Sequence, residues 1–535
     1  MMAADEKAFE NFHDALTDEI INPTSNAPKH EFVPYELIEG GLSAVGSVPV
    51  PALANVAKSG KKTSPVNLDS FYPEDNERYR NTDIGRGRLF ADVFKDIARY
   101  VPERKSWFIF DGTRWAHDGS NLMVDALCKR LADALWIRLL SLDGDVKEKF
   151  AKGWMSWQDR RKREIILRDA ASEHPKPLVE FDADPYLLNV LNGTFNLRTF
   201  KFHKHQSSDF LSKVASVKYD LEAKCPRWDQ FIVEVMSDDK AKARFLQRAL
   251  GYAVSGITSE ECLFILHGVD TRNGKSTTCE TVLGILGDYG ATVQPDTLSM
   301  GRKTDGGLRA TEDVARLEGV RFANVSEPGR GLTLNVAKLK ALTGGDSVNA
   351  RRLFENSFEY RPQFKLFVNT NFLPVVNDTT LFTSGRVVVV PFDRHFGATE
   401  QDTTLKQRFA EEEAKSSILT WLLNGWVDYN NDGLEQPDSV KVAIGSYERD
   451  SDTFSQFAEE CLVEAGNAQV RTSEVYTAYK EWTERNGYRY ENTRVFKNLL
   501  VRIGTVERRR PDAKHSETTM LIGFKLSNEG MLFDA

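Results

Sequence analysis

Cysteine is scarce in this chain. Its five cysteines (Cys128, Cys225, Cys262, Cys279 and Cys461) include no pair at metal-ligand spacing, which argues against a zinc ribbon and for a reducing cytoplasm. Long apolar runs are missing as well. No stretch approaches the ~20 residues that a membrane-spanning helix needs, and the first ten residues are polar and acidic, unlike a signal peptide. No membrane partner is therefore expected. Nor is there an excess of positive charge, the net charge being −8 over 535 residues. That balance does not advertise nucleic acid and does not exclude it, because a ring-shaped motor can confine its basic residues to a channel.

What is present centres on one loop. An apolar, strand-like segment from Cys262 to Leu266 enters His267-Gly268-Val-Asp-Thr-Arg-Asn-Gly274-Lys275-Ser276-Thr277, and a helix with Val282, Leu283, Ile285 and Leu286 follows. Strand, glycine-containing loop, Lys-Ser and helix make a phosphate-binding P-loop. Asn273, Gly274, Lys275, Ser276 and Thr277 are the expected ATP contacts, with Ser276 taking Mg²⁺. The spacing departs from G-x-x-x-x-G-K-[ST], since Gly268 comes one residue early. Asp270 and Thr271 are expected to bulge away while Asn273 to Thr277 keep the phosphate grip.

The length predicts two to four domains. Residues 1–80 read as a short amphipathic helix (Phe9, Phe12, Leu16, Ile20) on a linker rich in Pro, Ser, Gly and Ala. Residues 81–235 read as a mixed α+β domain preceding the motor, 236–396 as a P-loop core, 397–452 as a helical lid, and 453–535 as a winged-helix-like domain. In the last, a helix from Thr472 carries Val475, Tyr476, Tyr479 and Trp482 on one face, and a second runs from about Asn492. Arg508, Arg509, Arg510 and Lys514 would then lie on a wing, where they fit forked or duplex DNA. Asp143-Gly-Asp145 reads as a helix stop and turn rather than a metal site. The run Arg160-Arg-Lys-Arg163 reads first as a solvated helix face.

A P-loop also needs an acid, a water-positioning polar residue and an arginine. Glu327 ends the strand-like Gly319–Ser326 segment, Asn371 ends Phe364–Thr370, and Arg386 opens the run Val387-Val-Val-Val-Pro391. P-loop, acid, asparagine and arginine in that order resemble superfamily-3 helicases, a branch of the AAA+ ATPases. The segment Lys340-Ala-Leu-Thr-Gly-Gly-Asp346 with Ala350-Arg351 is similar to the satellite-phage primase C-terminal family, which shares this module with poxvirus NTPase-primases. Asp184 to Thr199, Asn371-Phe-Leu-Pro374 and Arg386 to Phe392 resemble further motifs of these phage and plasmid primase-helicases.

The resemblance implies an α/β protein whose AAA+ parallel sheet carries helices on both faces. It further implies a hexameric ring with ATP and Mg²⁺ between subunits, working as an ATP-dependent DNA helicase or translocase in replication of a phage, plasmid or related element. The alternative is an ATP-switched initiator or scaffold that assembles on DNA without processive unwinding. On either reading the implied setting is the cytoplasm of a bacterial host. Partners would be single-stranded and forked DNA, with a separate primase, polymerase or initiator. Lys275, Glu327, Asn371 and Arg386 would be catalytic, with Glu327 beside Ser276 at the metal and Arg386 (or Arg394) reaching a neighbour's nucleotide. A hairpin over Val348–Phe354 and Phe358–Arg361 would grip single-stranded DNA through Arg351, Arg352 and Phe354.

Overall fold

The computed structural model describes residues 66–300, 312–353, 356–488, 490–510 and 517–527. The expected N-terminal helix, Phe354 and Lys514 fall outside these residues.

Helix α1 (Asp83–Val93) leads into an antiparallel meander of β1 (Ala98–Val101), β2 (Ser106–Phe110) and β3 (Trp115–Asp118). Helices α2 (Leu122–Leu140), α3 (Gly144–Met155) and α4 (Arg160–Ala170) complete this unit around Phe90, Trp107, Leu131, Leu135 and Trp157. Asp143 occupies the N-cap position of α3, so Asp143-Gly-Asp145 is a helix boundary. The basic run at the start of α4 is largely neutralised at home. Arg163 binds Asp125 and the carbonyls of Trp157 and Gln158, Arg160 binds Glu164, and Lys162 lies 3.5 Å from Asp83.

A second meander, β4 (Leu187–Val190), β5 (Gly193–Asn196) and β6 (Lys201–His203), is followed by α5 (Pro226–Val235) and α6 (Lys240–Tyr252). These elements share an apolar cluster with the central sheet, so the expected boundary at 235 does not divide two cores. That sheet is built from β7 (Leu263–His267), β8 (Gly290–Val293), β9 (Phe322–Ser326), β12 (Lys365–Thr370) and β13 (Val387–Pro391). Between them lie α7 (Lys275–Leu286), α8 (Val336–Thr343) and a hairpin of β10 (Val348–Arg351) and β11 (Ser357–Tyr360).

The five strands run parallel in the order β13-β7-β12-β9-β8. Parallel sheets are covered on both faces, and the strand sequences show it. Phe264 and Leu266 of β7 pack into the layer of α5, α6 and α7, while Leu263 and Ile265 pack into the layer of α8. On the α7 side, Phe367 of β12 lies between Phe264, on which it stacks, and Phe322, to which it is tilted, 4.8 Å from each ring centre.

Helix α9 (Glu412–Asp432) packs against α6 inside the same core as the sheet, and α10 (Asp438–Ser451) packs on β13. The region expected to be a lid is thus in large part a structural layer. Next come α11 (Thr453–Cys461), β14 (Leu462–Arg471), α12 (Thr472–Arg485), α13 (Thr493–Ile503), β15 (Thr505–Arg509) and β16 (Thr518–Leu526), with β16 central in the order β14-β16-β15. Strand β14 escapes the sequence pattern. Leu-Val-Glu-Ala-Gly-Asn-Ala-Gln-Val-Arg has no two-residue alternation, and a register shift between Glu464 and Gln469 interrupts its pairing.

Candidate functional site

The loop after β7 folds back on itself before α7 begins. A Cβ on Gly268 would lie 2.1 Å from Asn273 Nδ2 and 2.6 Å from the Phe392 carbonyl oxygen, so only glycine fits there. Gly274 has φ of +86°, and a Cβ on it would meet Val235 at 2.3 Å. Between these fixed points Val269 to Arg272 stand exposed, Val269 at 79%. The surplus residue of the loop is accommodated in this outward arc, closed beneath by the 2.8 Å bond from Asn273 Nδ2 to the Asp270 carbonyl.

Lys275 begins α7 and points back under the loop, only 4% exposed. Its ammonium donates to Asn371 Oδ1 (2.7 Å), Asn273 Oδ1 (2.9 Å) and the Gly268 carbonyl (3.3 Å). All three are neutral oxygens, and no carboxylate among the described residues forms an ion pair with it. Burial pushes its pKa down to about 8, against the opposing fields of Cys279 and Glu327. Ser276 Oγ accepts from Asn369 Nδ2 at 3.0 Å. Glu327 leaves the end of β9 with φ of +48°, its amide bonded to the Asn369 carbonyl at 3.0 Å, and its side chain is exposed. Thr277 lies in the first turn of α7, half-buried. Because β12 lies between β7 and β9, the carboxyl ends of three adjacent strands bring Lys275, Ser276, Asn371 and Glu327 together.

The other expected residues lie elsewhere. Arg386 is at the opposite, amino ends of β7 and β13, where it donates to the Glu261 carbonyl (3.2 Å), Glu261 Oε2 (2.5 Å) and Thr343 Oγ1 (2.9 Å). The Thr-Gly-Gly-Asp segment therefore ends α8 and supports this arginine through Thr343, while Asp346 is exposed. Arg394 is on the P-loop side, bound to Glu400 at 2.5 Å, next to His395, which bonds the Thr271 carbonyl. In the hairpin, Arg351 is exposed at the end of β10. Arg352 instead turns to Glu318 (2.5 Å) and lies 4.5 Å over the Phe358 ring, which commits it to packing. Arg508 and Arg509 are exposed on β15 and Arg510 follows it, with Arg509 bridged to Glu507 at 2.7 Å.

Sequence reasoning missed Asn369, which touches both Ser276 and the backbone of Glu327. The available signal was an asparagine directly after the apolar run Leu366-Phe-Val368 of a buried strand. Asn324 on β9 is likewise buried and donates to Ser326 Oγ at 2.8 Å, next to Glu327.

A family model described as D5 N terminal like matches residues 87–237, one for a family of unknown function matches 266–386, and one described as poxvirus D5 protein-like matches 449–513. An Acanthamoeba polyphaga mimivirus protein named a putative helicase is 26% identical over 461 residues, 79% of this chain and 47% of that protein. These matched segments and relatives support a primase-helicase family of the poxvirus D5 type. Further relatives are a frog virus 3 protein named a putative helicase and an African swine fever virus protein named a putative primase. The first is 31% identical, covering 48% of this chain and 28% of that protein; the second is 22% identical, covering 57% and 34%. The chain spans half or less of the length of these relatives. They come from viruses of eukaryotes, so the expected phage or plasmid setting in a bacterial host is not the one they occupy. No helix among the described residues is long and apolar enough to cross a membrane.

Proposed function

We propose that this chain is an ATP-hydrolysing motor that moves along DNA during genome replication. The observation that carries this reading is Lys275: a buried ammonium on three neutral oxygens, with no carboxylate partner, at the start of a twelve-residue helix. A buried cation without a counter-ion is costly, and a triphosphate would supply the missing charge. The amino end of α7 would donate its free N–H groups to the same phosphates. Once phosphate takes Lys275, the Asn371 amide is released to hold a water or a γ-oxygen.

The oxygens of Ser276 and Glu327 suit Mg²⁺, a hard cation, and would hold it. Bound there, Mg²⁺ would neutralise the charge that develops on the phosphates. Numbered along the chain, the strands run 5-1-4-3-2, which supports the AAA+ superfamily-3 reading. The order helix, strand, helix, helix and hairpin from Thr453 to Leu526 supports the winged helix, with Arg508 to Arg510 meeting DNA. Single-stranded DNA would meet Arg351 on the hairpin. Since Arg386 faces away from its own P-loop, any nucleotide it serves belongs to a neighbour, which fits a ring, hexameric by family resemblance.

The test is ATP hydrolysis measured with and without single-stranded DNA. Stimulation by DNA that Lys275→Ala abolishes is expected, and hydrolysis that persists in a purified Lys275→Ala protein contradicts the assignment.

A further inference from the structure

The face of the sheet under α7 carries a short polar ladder beside its aromatic residues. Asn324 and Ser326 on β9 sit beside Phe367 and Asn369 on β12, in the register Phe367 with Asn324 and Asn369 with Ser326. Asn324 donates to Ser326, and its own Oδ1 is buried without a partner. Asn369 is only 4% exposed and donates to Ser276 on α7. Buried polar groups in central strands cost stability unless they are hydrogen-bonded, and the orphaned Asn324 Oδ1 marks the ladder as more than packing.

We infer that Asn369 is the positioning residue that aims the Ser276 hydroxyl at the nucleotide-bound divalent cation and ties it to the backbone of Glu327. The inference rests on the nucleotide reading above and deepens it. A hydroxyl has one proton and two lone pairs. An amide N–H from Asn369 occupies one lone pair, which leaves the other free for a hard cation and the proton free for a phosphate oxygen. Without that bond the hydroxyl is free to rotate among its staggered positions. The same residue's carbonyl holds the Glu327 amide at 3.0 Å, at the point where β9 ends and Glu327 takes a left-handed conformation unusual for a side-chain-bearing residue. One residue thus sets both the hydroxyl and the start of the acid loop. Asn371, two residues on, holds Lys275 instead. Strand β12 would in this way divide its two asparagines between cation and phosphate.

The experiment is a double-mutant cycle on the full chain, read by binding of a fluorescent ATP analogue with Mg²⁺ and with EDTA. Ser276→Ala is expected to remove the gain in affinity that Mg²⁺ gives. Asn369→Ala is expected to reduce that gain by about tenfold, the usual scale for a group supporting a metal ligand, and to leave EDTA binding within about twofold of wild type. The double variant should match Ser276→Ala alone. If Asn369→Ala does not fold, Asn369→Leu keeps the branched shape but cannot donate to the hydroxyl, and should lose the same Mg²⁺ gain. Equal losses with Mg²⁺ and EDTA, or additive effects in the cycle, would overturn the role of Asn369 while Mg²⁺-dependent wild-type binding upholds the nucleotide site. A wild-type chain that binds no nucleotide overturns both.

Discussion

A lysine held by three neutral oxygens is stable only because its neighbours are fixed, and at Lys275 each has a reason to stay. Gly268 cannot carry a side chain, Asn273 is anchored to Asp270, and Asn371 ends a strand buried on both faces. A charge network around a buried arginine lies elsewhere. Arg248, 1% exposed, binds Asp428 (2.6 Å), Asp432 (3.0 Å) and Glu435 (2.5 Å), and Arg244 shares Asp428. Burial pushes the Asp428 carboxyl up, but hydrogen bonds from Arg244 and Arg248 outweigh it and hold its pKa below the ordinary value. With the folded pKa below the unfolded one, the stabilisation is complete above about pH 4 and is lost as pH falls through the folded value. Asp428→Ala should therefore cost about 3 kcal/mol at pH 7, because it strips a partner from a buried arginine. In urea unfolding the gap to wild type should narrow on acidification, and a gap that stays constant down to pH 3 contradicts this account. None of these pairings was legible in the sequence, since the partners are some 180 residues apart.

Among the elements, helices α6 and α9 cross with their backbones in contact. A Cβ on Gly425 would fall 2.2 Å from the Gln247 carbonyl oxygen, and one on Gly251 would fall 2.3 Å from the Gly425 carbonyl carbon. Two effects compete in Gly425→Ala. Helix propensity favours alanine by about 1 kcal/mol, while overpacking a fixed contact costs about 1–3 kcal/mol. The neighbouring atoms are backbone and cannot step aside, so net destabilisation is expected in thermal or urea unfolding, and a raised midpoint would refute the close crossing. The helices themselves were readable from apolar spacing, as in Thr472–Arg485 with its buried Val475, Tyr479 and Trp482. So were strands of the parallel sheet, because strands buried on both faces leave unbroken apolar runs such as Val387–Val390. Strand β14 was not, because an irregular, half-exposed strand carries neither period. The hairpin was readable, but the fate of Arg352 depended on Glu318, which lies 34 residues earlier.

Across the whole molecule, the N-terminal unit is joined to the sheet by Arg104 with Glu318 at 3.3 Å and by Arg114 with Asp288. Glu318 also holds Arg352 near the hairpin, so the unit that precedes the motor touches the element proposed to meet DNA. Arg386 and Lys275 occupy opposite ends of the sheet in one chain. If a neighbour's Arg386 completes each site, mixing Arg386→Ala with Lys275→Ala protein should create some intact interfaces and recover ATP hydrolysis that neither variant shows alone. Recovery absent at every mixing ratio would count against a shared site.

The central claim, that nucleotide hydrolysis at Lys275 drives movement on DNA, is tested most directly by strand displacement from a forked duplex, assayed with forks of both polarities. The account predicts ATP-dependent displacement by the wild-type chain on one fork and none by Lys275→Ala. ATP-dependent assembly on duplex DNA with no displacement from either fork would contradict it.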